Sequence, residues 1–191
     1  MLIDLTLAID RKSADGQPLR NLGHLGTHFD VMDKEFPLHY VRRVGRLVDI
    51  RGVRDREIEV ADLPSEIHSD EFVIFRTNYI EEIGYSSKTY NFTSAELSDA
   101  LVAHLVTRPV SLIGVDAASI QRRDKHRQVD EYCAARNVFV VENLSNLEFL
   151  SRAAGLEPFV VYCLPLNFRG LTGLPCRVVA DVSRSSIGGH P

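Results

Sequence analysis

Two histidines and an aspartate occupy alternate positions in one short segment, with a glycine among them: His24, Gly26, His28 and Asp30. Alternate residues of an extended chain point to the same face, so the three polar side chains would share a face that Gly26 leaves open. A straight strand rises about 3.3 Å per residue and would separate the imidazoles by about 13 Å, whereas a bend at the glycine would bring them together. Two imidazoles and a carboxylate form a ligand set for zinc, manganese or iron(II).

A fourth ligand has to come from another part of the chain, and Glu142 is the strongest candidate. It directly follows the apolar stretch 138–141, which predicts a buried strand. Ligand sites of α/β sheets usually lie at the carboxyl ends of strands. Two alternatives stay open: Glu142 as the N-terminal acid of the helix predicted next, and the close histidine pair as a structural or surface feature.

The elements that would position these residues are mostly strands. Alternating or continuous apolar patterns predict strands over residues 2–8, 41–50, 57–60, 71–75, 110–115, 138–141, 159–164 and 177–182. Helical patterns cover residues 94–107, 124–136 and 145–154, the first beginning with a capping box of Thr93 and Glu96. This content predicts the α/β class, as a single domain over residues 1–191 with a mixed, β-rich core and a few flanking helices.

Composition and charge narrow the function classes. The 191 residues carry 22 basic and 26 acidic side chains, and no region is dominated by basic residues, so a nucleic-acid partner is not expected. No apolar run is long enough to span a membrane, and the start Met1-Leu2-Ile3-Asp4 lacks the basic region of a signal peptide. Three widely spaced cysteines form no disulfide framework. We expect a cytoplasmic protein that acts on a small molecule, without membrane or nucleic-acid partners.

Several of these segments, taken together, resemble one family. The run from His24 to Asp30 has the form His-x-Gly-Thr-His-x-Asp, and three motifs follow in order: Arg76-Thr77-Asn78-Tyr79, Gly114-Val115-Asp116-Ala117-Ala118-Ser119 and Val141-Glu142-Asn143-Leu144. The set is similar to the signature of the cyclase family of metal-dependent hydrolases, which includes bacterial kynurenine formamidase and isatin hydrolase. The likeness covers most of the chain, from the stretch 3–6 onward.

The resemblance implies a fold, a metal centre and a reaction. The fold would be of the swivelling β/β/α type, and one divalent metal, zinc or manganese, would be ligated by His24, His28, Asp30 and Glu142. A metal-activated water would hydrolyse a C–N bond of a formamide, amide or cyclic imide, which is the chemistry of an arylformamidase-like amidohydrolase acting on non-peptide bonds. Because relatives assemble as dimers or larger oligomers, the resemblance also implies a homodimer or homotetramer.

The segment after Asp30 departs from the family pattern, which usually has a proline two residues on and a histidine four residues on. Met32 and Lys34 occupy these positions, and a Pro-x-His follows only later, ending at His39. His39 is our first candidate for the proton shuttle, because an unperturbed imidazole titrates near pH 6.5, and Lys34 is the second. The alternative interpretation of His39 is a loop or edge-strand residue without a catalytic role.

Another departure concerns a second metal. Family members with two metals place a histidine in the helix before the acidic strand, and here that position holds Asp130, with His126 one turn earlier. A second metal is therefore doubtful, and Asp130 is interpreted either as a partner of the centre or, slightly preferred, as an exposed helix acid. Both departures support an alternative function: a metal- or ligand-binding family member that has lost hydrolysis.

Overall fold

Strands and short helices make up most of the described chain. The computed structural model describes residues 1–9, 19–53, 56–64, 67–85, 87, 89–90, 95–108, 110–122 and 124–183. The strands are β1 (Leu2–Asp4), β2 (His28–Asp30), β3 (Arg42–Asp49), β4 (Phe72–Arg76), β5 (Leu112–Val115), β6 (Phe139–Glu142), β7 (Phe159–Pro165) and β8 (Gly173–Asp181). The helices are α1 (Leu19–Leu22), α2 (Tyr79–Ile83), α3 (Asp99–Thr107), α4 (Asp124–Ala134) and α5 (Leu147–Ala154), with 3-10 helices at Leu38–Tyr40 and Val60–Asp62.

The strands form one mixed sheet that closes on itself. Its order is β1-β8-β2-β6-β5-β4-β3-β7, and a further pairing of β7 with β8 completes a barrel-like ring, with β1 alongside β8. Neighbouring strands from β3 to β6 run parallel, whereas the pairs that involve β1, β2, β7 or β8 are antiparallel. The α/β class and the mixed, β-rich core predicted from the sequence are confirmed. Among the described residues, no helix is long and apolar enough to cross a bilayer.

Successive residues of each strand point to opposite faces of the sheet, and this alternation divides the core in two. One face carries buried side chains from all eight strands, which pack together and include Phe29, Phe72 and Phe139. The opposite face packs against α3 and α4, with Val73 and Val140 among its buried residues. Because Phe29 belongs to the first cluster, its two neighbours in β2 lie on the face that α4 covers.

The helix predicted from residue 94 starts later than its local capping signal indicates. It begins as α3 at Asp99, where the Ser98 hydroxyl accepts a main-chain hydrogen bond at 3.1 Å. Glu96 pairs instead with Arg122, whose Nε lies 2.7 Å from Glu96 Oε1, and Thr93 falls outside the described residues. A tertiary ion pair therefore overrides the local signal, as packing commonly does.

The prediction of a strand over residues 57–60 is wrong. In its place the structure has a single bridge from Ile58 to Leu97, followed by the 3-10 helix that starts at Val60. The alternating pattern reflects one buried side chain, since Ile58 is 1% exposed. β8, by contrast, begins at Gly173, four residues before its predicted start. The prediction missed this part of the strand because glycine and proline, here Gly173 and Pro175, are rare in strands.

Candidate metal centre

The register of β2 against β6 places three of the four predicted ligands on one face of the sheet. His28 lies opposite Glu142, and Asp30 lies opposite Val140, in an antiparallel pair. The His28 Nε2 atom is 3.4 Å from Glu142 Oε2 and 3.7 Å from Asp30 Oδ1. All three ligand residues are at most 3% exposed. Their polar atoms therefore face one another out of contact with bulk solvent.

The bend predicted at Gly26 is present and brings the fourth ligand to the cluster. Gly26 has a φ of 67°, and a Cβ atom there would lie 2.7 Å from Ile9 Cγ1, so a larger residue would be both strained and crowded. The turn returns His24 to the site, where its Nδ1 atom lies 3.1 Å from His28 Nε2 and 3.1 Å from Asp30 Oδ1. The structure thus brings all four predicted ligands together.

A main-chain carbonyl fixes the orientation of the His28 ring. Its Nδ1 atom lies 2.8 Å from Gly26 O, and since a carbonyl oxygen only accepts, Nδ1 carries the proton. The Nε2 atom then keeps a free lone pair on the side of the carboxylates. Burial lowers the pKa of His28, which favours the neutral ring that metal ligation requires.

Helix α4 adds two residues that the sequence did not assign as ligands. His126 and Asp130 are four residues apart, so both project from one face of the helix. The His126 Nε2 atom lies 3.0 Å from Glu142 Oε1 and 3.4 Å from Asp130 Oδ2. The preferred interpretation of Asp130 as an exposed helix acid is wrong, because only 1% of the residue is exposed. The sequence does contain a signal for this pair, because a histidine and an aspartate four residues apart lie on one face of the helix that precedes β6.

Asp30 belongs to two groups of side chains that could each hold a cation. One group consists of His24, His28 and Asp30, and the other consists of Asp30, His126, Asp130 and Glu142. Within each group, the atoms that could bind a cation lie within 4.8 Å of one another. Two buried oxygens, Asp30 Oδ2 and Asp130 Oδ1, have no hydrogen-bond partner among the described residues. Since buried polar atoms are normally paired and imidazole with carboxylate suits zinc or manganese, these residues fit a divalent cation and offer ligands for a second.

Three carboxyl groups share this small volume, and their pKa values diverge. Burial, followed by the charges of Asp30 and Asp130, raises the pKa of Glu142 well above its usual range. Burial and the Asp30 charge raise the pKa of Asp130 to about 9. Burial would raise the pKa of Asp30 as well, but the adjacent His28 and His24 outweigh it and hold that pKa below its usual value. Without a cation, the cluster therefore retains a proton at neutral pH.

A cavity of about 290 Å³ opens over the cluster, and neither predicted proton-transfer residue lines it. His39 is exposed on the first 3-10 helix, with its ring centroid 4.7 Å from that of Tyr40. Lys34 is exposed too, with its Nζ 3.4 Å from Asp33 Oδ1. The structure does not bring either residue to the ligands, and their catalytic roles stay predictions. The lining residues are His24, Asp30, Met32, His126, Arg127, Asp130 and Thr172.

Replacing Gly173 with alanine is expected to weaken metal binding by displacing His24. Gly173 lies opposite Asp30 in the β2–β8 pair, and an added Cβ would lie 2.6 Å from Gly23 O and 2.7 Å from His24 Cε1. We expect the metal affinity to fall about 10-fold or more, measured by competition with a chromophoric chelator. Gly52→Ala is the matched control, because nothing lies within 4 Å of its added Cβ. Equal affinities in the two variants would contradict this expectation.

Comparisons with known proteins agree on one family and one fold. The sequence model of the family described as "Putative cyclase" matches residues 3–122, more than half of the chain, while no curated protein matches in sequence. A protein described as a potential metal-dependent hydrolase with cyclase activity has a TM-score of 0.73 at 20% identity, covering 94% of this chain and 96% of its own. A predicted metal-dependent hydrolase from Bacillus stearothermophilus has a TM-score of 0.71 at 19% identity, covering 94% and 97%. Isatin hydrolase A from Labrenzia aggregata, bound to benzyl benzoate, has a TM-score of 0.75 at 16% identity, covering 94% and 93%.

Proposed function

The chain belongs to the Cyclase family, and we propose that it is a metal-dependent hydrolase that cleaves the C–N bond of a small formamide, amide or cyclic imide. The observation that carries the proposal is the group of imidazoles and buried carboxylates centred on Asp30. One of the structural relatives is an isatin hydrolase, and isatin is a cyclic amide, which supports a carbonyl–nitrogen bond as the target. Zinc and manganese both suit the ligand set.

The residues of the centre would have separate tasks. When bound, a divalent cation supplies Lewis-acid activation of water and of the substrate carbonyl. His24 and His28 would hold it through ring nitrogens, and Asp30 would hold it through a carboxylate that stays ionised, since the neighbouring histidines keep its pKa low. Glu142 would complete the set from the end of β6. A second cation would use the group that includes His126.

His126 replaces His39 and Lys34 as our first candidate for proton transfer in a one-cation form of the enzyme. Its side chain is 41% exposed at the cavity mouth while its Nε2 atom lies 3.0 Å from Glu142 Oε1, so the ring can exchange protons with solvent. Burial lowers the pKa of His126, which favours a neutral ring near pH 7. Such a ring can accept a proton from the attacking water and return it to the leaving nitrogen.

Turnover assays on the metal-loaded protein test this proposal. We expect the zinc- or manganese-loaded protein to hydrolyse at least one of three compounds, namely isatin, an aryl formamide and a cyclic imide. His28→Ala should lose bound metal and lower turnover by about 100-fold or more. His68→Ala, which changes an exposed histidine outside the cluster, should keep both. Turnover that is the same with and without metal would contradict the proposal.

A second candidate function is metal or ligand binding without hydrolysis. The observation that favours it is the position of Lys34 and His39, which lie outside the lining of the cavity over the cluster. It predicts stoichiometric bound metal, lost in His28→Ala, together with no turnover of any of the three compounds. Metal-dependent turnover of one of them would exclude it.

A further inference from the structure

A series of buried hydrogen bonds connects the metal centre to a tyrosine that contributes no ligand atom. We propose that Tyr90 is a positioning residue: acting through the Asn143 amide and the Gly26 carbonyl, it holds the His28 ring in the orientation that leaves Nε2 free for a cation. The inference rests on the proposed binding of metal at this centre. It extends the site to a segment of the chain that none of the candidate ligands occupies.

Three hydrogen bonds link the Tyr90 hydroxyl to the His28 ring. Tyr90 Oη donates to Asn143 Oδ1 at 2.6 Å, and Asn143 Nδ2 donates to Gly26 O at 3.0 Å. The His28 Nδ1–H donates to the same carbonyl oxygen at 2.8 Å. Tyr90, Asn143 and His28 are each at most 3% exposed, so water does not compete for these bonds and each has the strength of a bond in a low-dielectric interior.

The Gly26 carbonyl and the Tyr90 hydroxyl together hold the Asn143 amide. An asparagine amide can present either its oxygen or its nitrogen to a neighbour, because the two ends have nearly the same shape. Since a carbonyl oxygen only accepts, Gly26 O turns Nδ2 toward itself and leaves Oδ1 facing Tyr90. Burial raises the pKa of Tyr90, so its hydroxyl keeps its proton and donates it to Oδ1. Without the hydroxyl, the buried Oδ1 would lose this partner and the amide would be held less firmly against Gly26 O.

Asn143 also ties together the two segments that carry the ligands. It directly follows Glu142 in the chain, and its main-chain carbonyl accepts a hydrogen bond from the Thr27 hydroxyl at 2.7 Å. The Thr27 hydroxyl oxygen in turn accepts a bond from the Leu7 N–H at 2.8 Å. A change in the Asn143 amide would therefore reach His28 on one strand and Glu142 on the next.

A second tyrosine holds the other polar group of the same glycine. The Gly26 N–H donates to Tyr85 Oη at 2.9 Å. The Tyr85 and Tyr90 rings meet edge to face, with centroids 5.5 Å apart. Tyr85 thus binds the Gly26 N–H directly, and Tyr90 reaches the Gly26 carbonyl through Asn143. The turn that positions His28 therefore depends on the position of both tyrosines.

The substitution Tyr90→Phe removes the hydroxyl and keeps the ring. We expect the dissociation constant for Zn²⁺ to rise about 10-fold or more, the usual effect of removing an outer hydrogen-bond partner of a metal ligand. The visible absorption of the Co²⁺-loaded protein should change as well, because it reports the ligand geometry. Tyr40→Phe is the matched control. It removes a partly buried hydroxyl that donates to Asn137 O at 3.0 Å, on the face of the sheet that carries Phe29 and Phe139, and should leave both measurements at wild-type values.

The outcomes separate this inference from the proposed function. A folded Tyr90→Phe protein with wild-type metal affinity and an unchanged Co²⁺ spectrum would overturn the inference and leave the hydrolase proposal intact. A wild-type protein that binds no metal would overturn the hydrolase proposal itself. If Tyr90→Phe does not fold, Asn143→Asp decides, because it keeps the oxygen that accepts from Tyr90 and removes the N–H group that donates to Gly26 O. A Zn²⁺ dissociation constant raised about 10-fold or more supports the inference, and a wild-type value overturns it.

Discussion

Asp30→Asn is expected to lower metal affinity by about 1,000-fold or more, a loss of about 4 kcal/mol of binding free energy. Asp30 is the one residue common to both groups that could hold a cation, so the substitution removes a charged ligand from each. Asparagine keeps an oxygen that can accept from His24 Nδ1, which lies 3.1 Å from Asp30 Oδ1, so the metal-free fold should persist. The large effect is therefore confined to the metal-bound state.

Thermal unfolding with and without metal measures this effect. A ligand that binds only the folded state raises the unfolding temperature in proportion to the logarithm of its concentration over its dissociation constant. We expect the wild-type protein to show such an increase with zinc or manganese, and Asp30→Asn to show none at the same concentration. Asp33→Asn, which changes an exposed acid on the same segment, should behave as wild type. An undiminished increase in Asp30→Asn would place the metal elsewhere in the molecule.

The metal-free protein is expected to become less stable as the pH rises from about 7 to about 9, since below this range the lowered pKa values of His28 and His126 act in the opposite direction. The pKa of Asp130 is raised from 3.8 to about 9, so between these values the folded state binds a proton that the unfolded state has released. The free energy of unfolding then falls by about 1.4 kcal/mol for each pH unit and each such proton. Glu142 acts in the same direction, since burial and its acidic neighbours raise its pKa too. A bound cation takes the place of the proton, so the metal-loaded protein should lack this decrease.

Urea unfolding at several pH values, in the presence of a chelator, tests the expected slope. Asp130→Asn should flatten it, because an amide cannot release the proton whose loss destabilises the folded state. Glu157→Gln is the matched control, because it changes an exposed acid outside the cluster. Stability of the metal-free wild-type protein that is constant or increases over this pH range would contradict the account of the buried carboxyl groups.

The clustering of His24, His28 and Asp30 could be predicted from the sequence because its signals are local. Alternation in an extended segment puts His28 and Asp30 on one face, and a glycine is the residue that permits the turn returning His24. The position of Glu142 follows from the apolar strand before it. That Glu142 meets this segment depends on the pairing of β2 with β6, and only the family resemblance indicated that pairing from the sequence.

Other parts of the site depend on packing that no local pattern specifies. Asp130 lies on a helix that is polar overall, and its burial follows from the face that α4 turns toward β6. Tyr90 meets Asn143 across 53 positions of the chain, so the contact depends on the packing of distant segments. His39 has the right chemistry near the motif, yet the 3-10 helix that contains it leaves it at the surface.

The pairing of β2 on both edges also determines when the centre can be assembled during synthesis of the chain. This three-residue strand sets His28 opposite Glu142 on one side and opposite Pro175 on the other. Both contacts close very long loops, which makes them late events compared with the formation of helices or hairpins. The candidate donors, which all precede β7, can therefore come together only after the ribosome has added β6, and the other edge of β2 is paired later, when β8 follows. We accordingly expect a cation to bind the folded protein rather than the emerging chain.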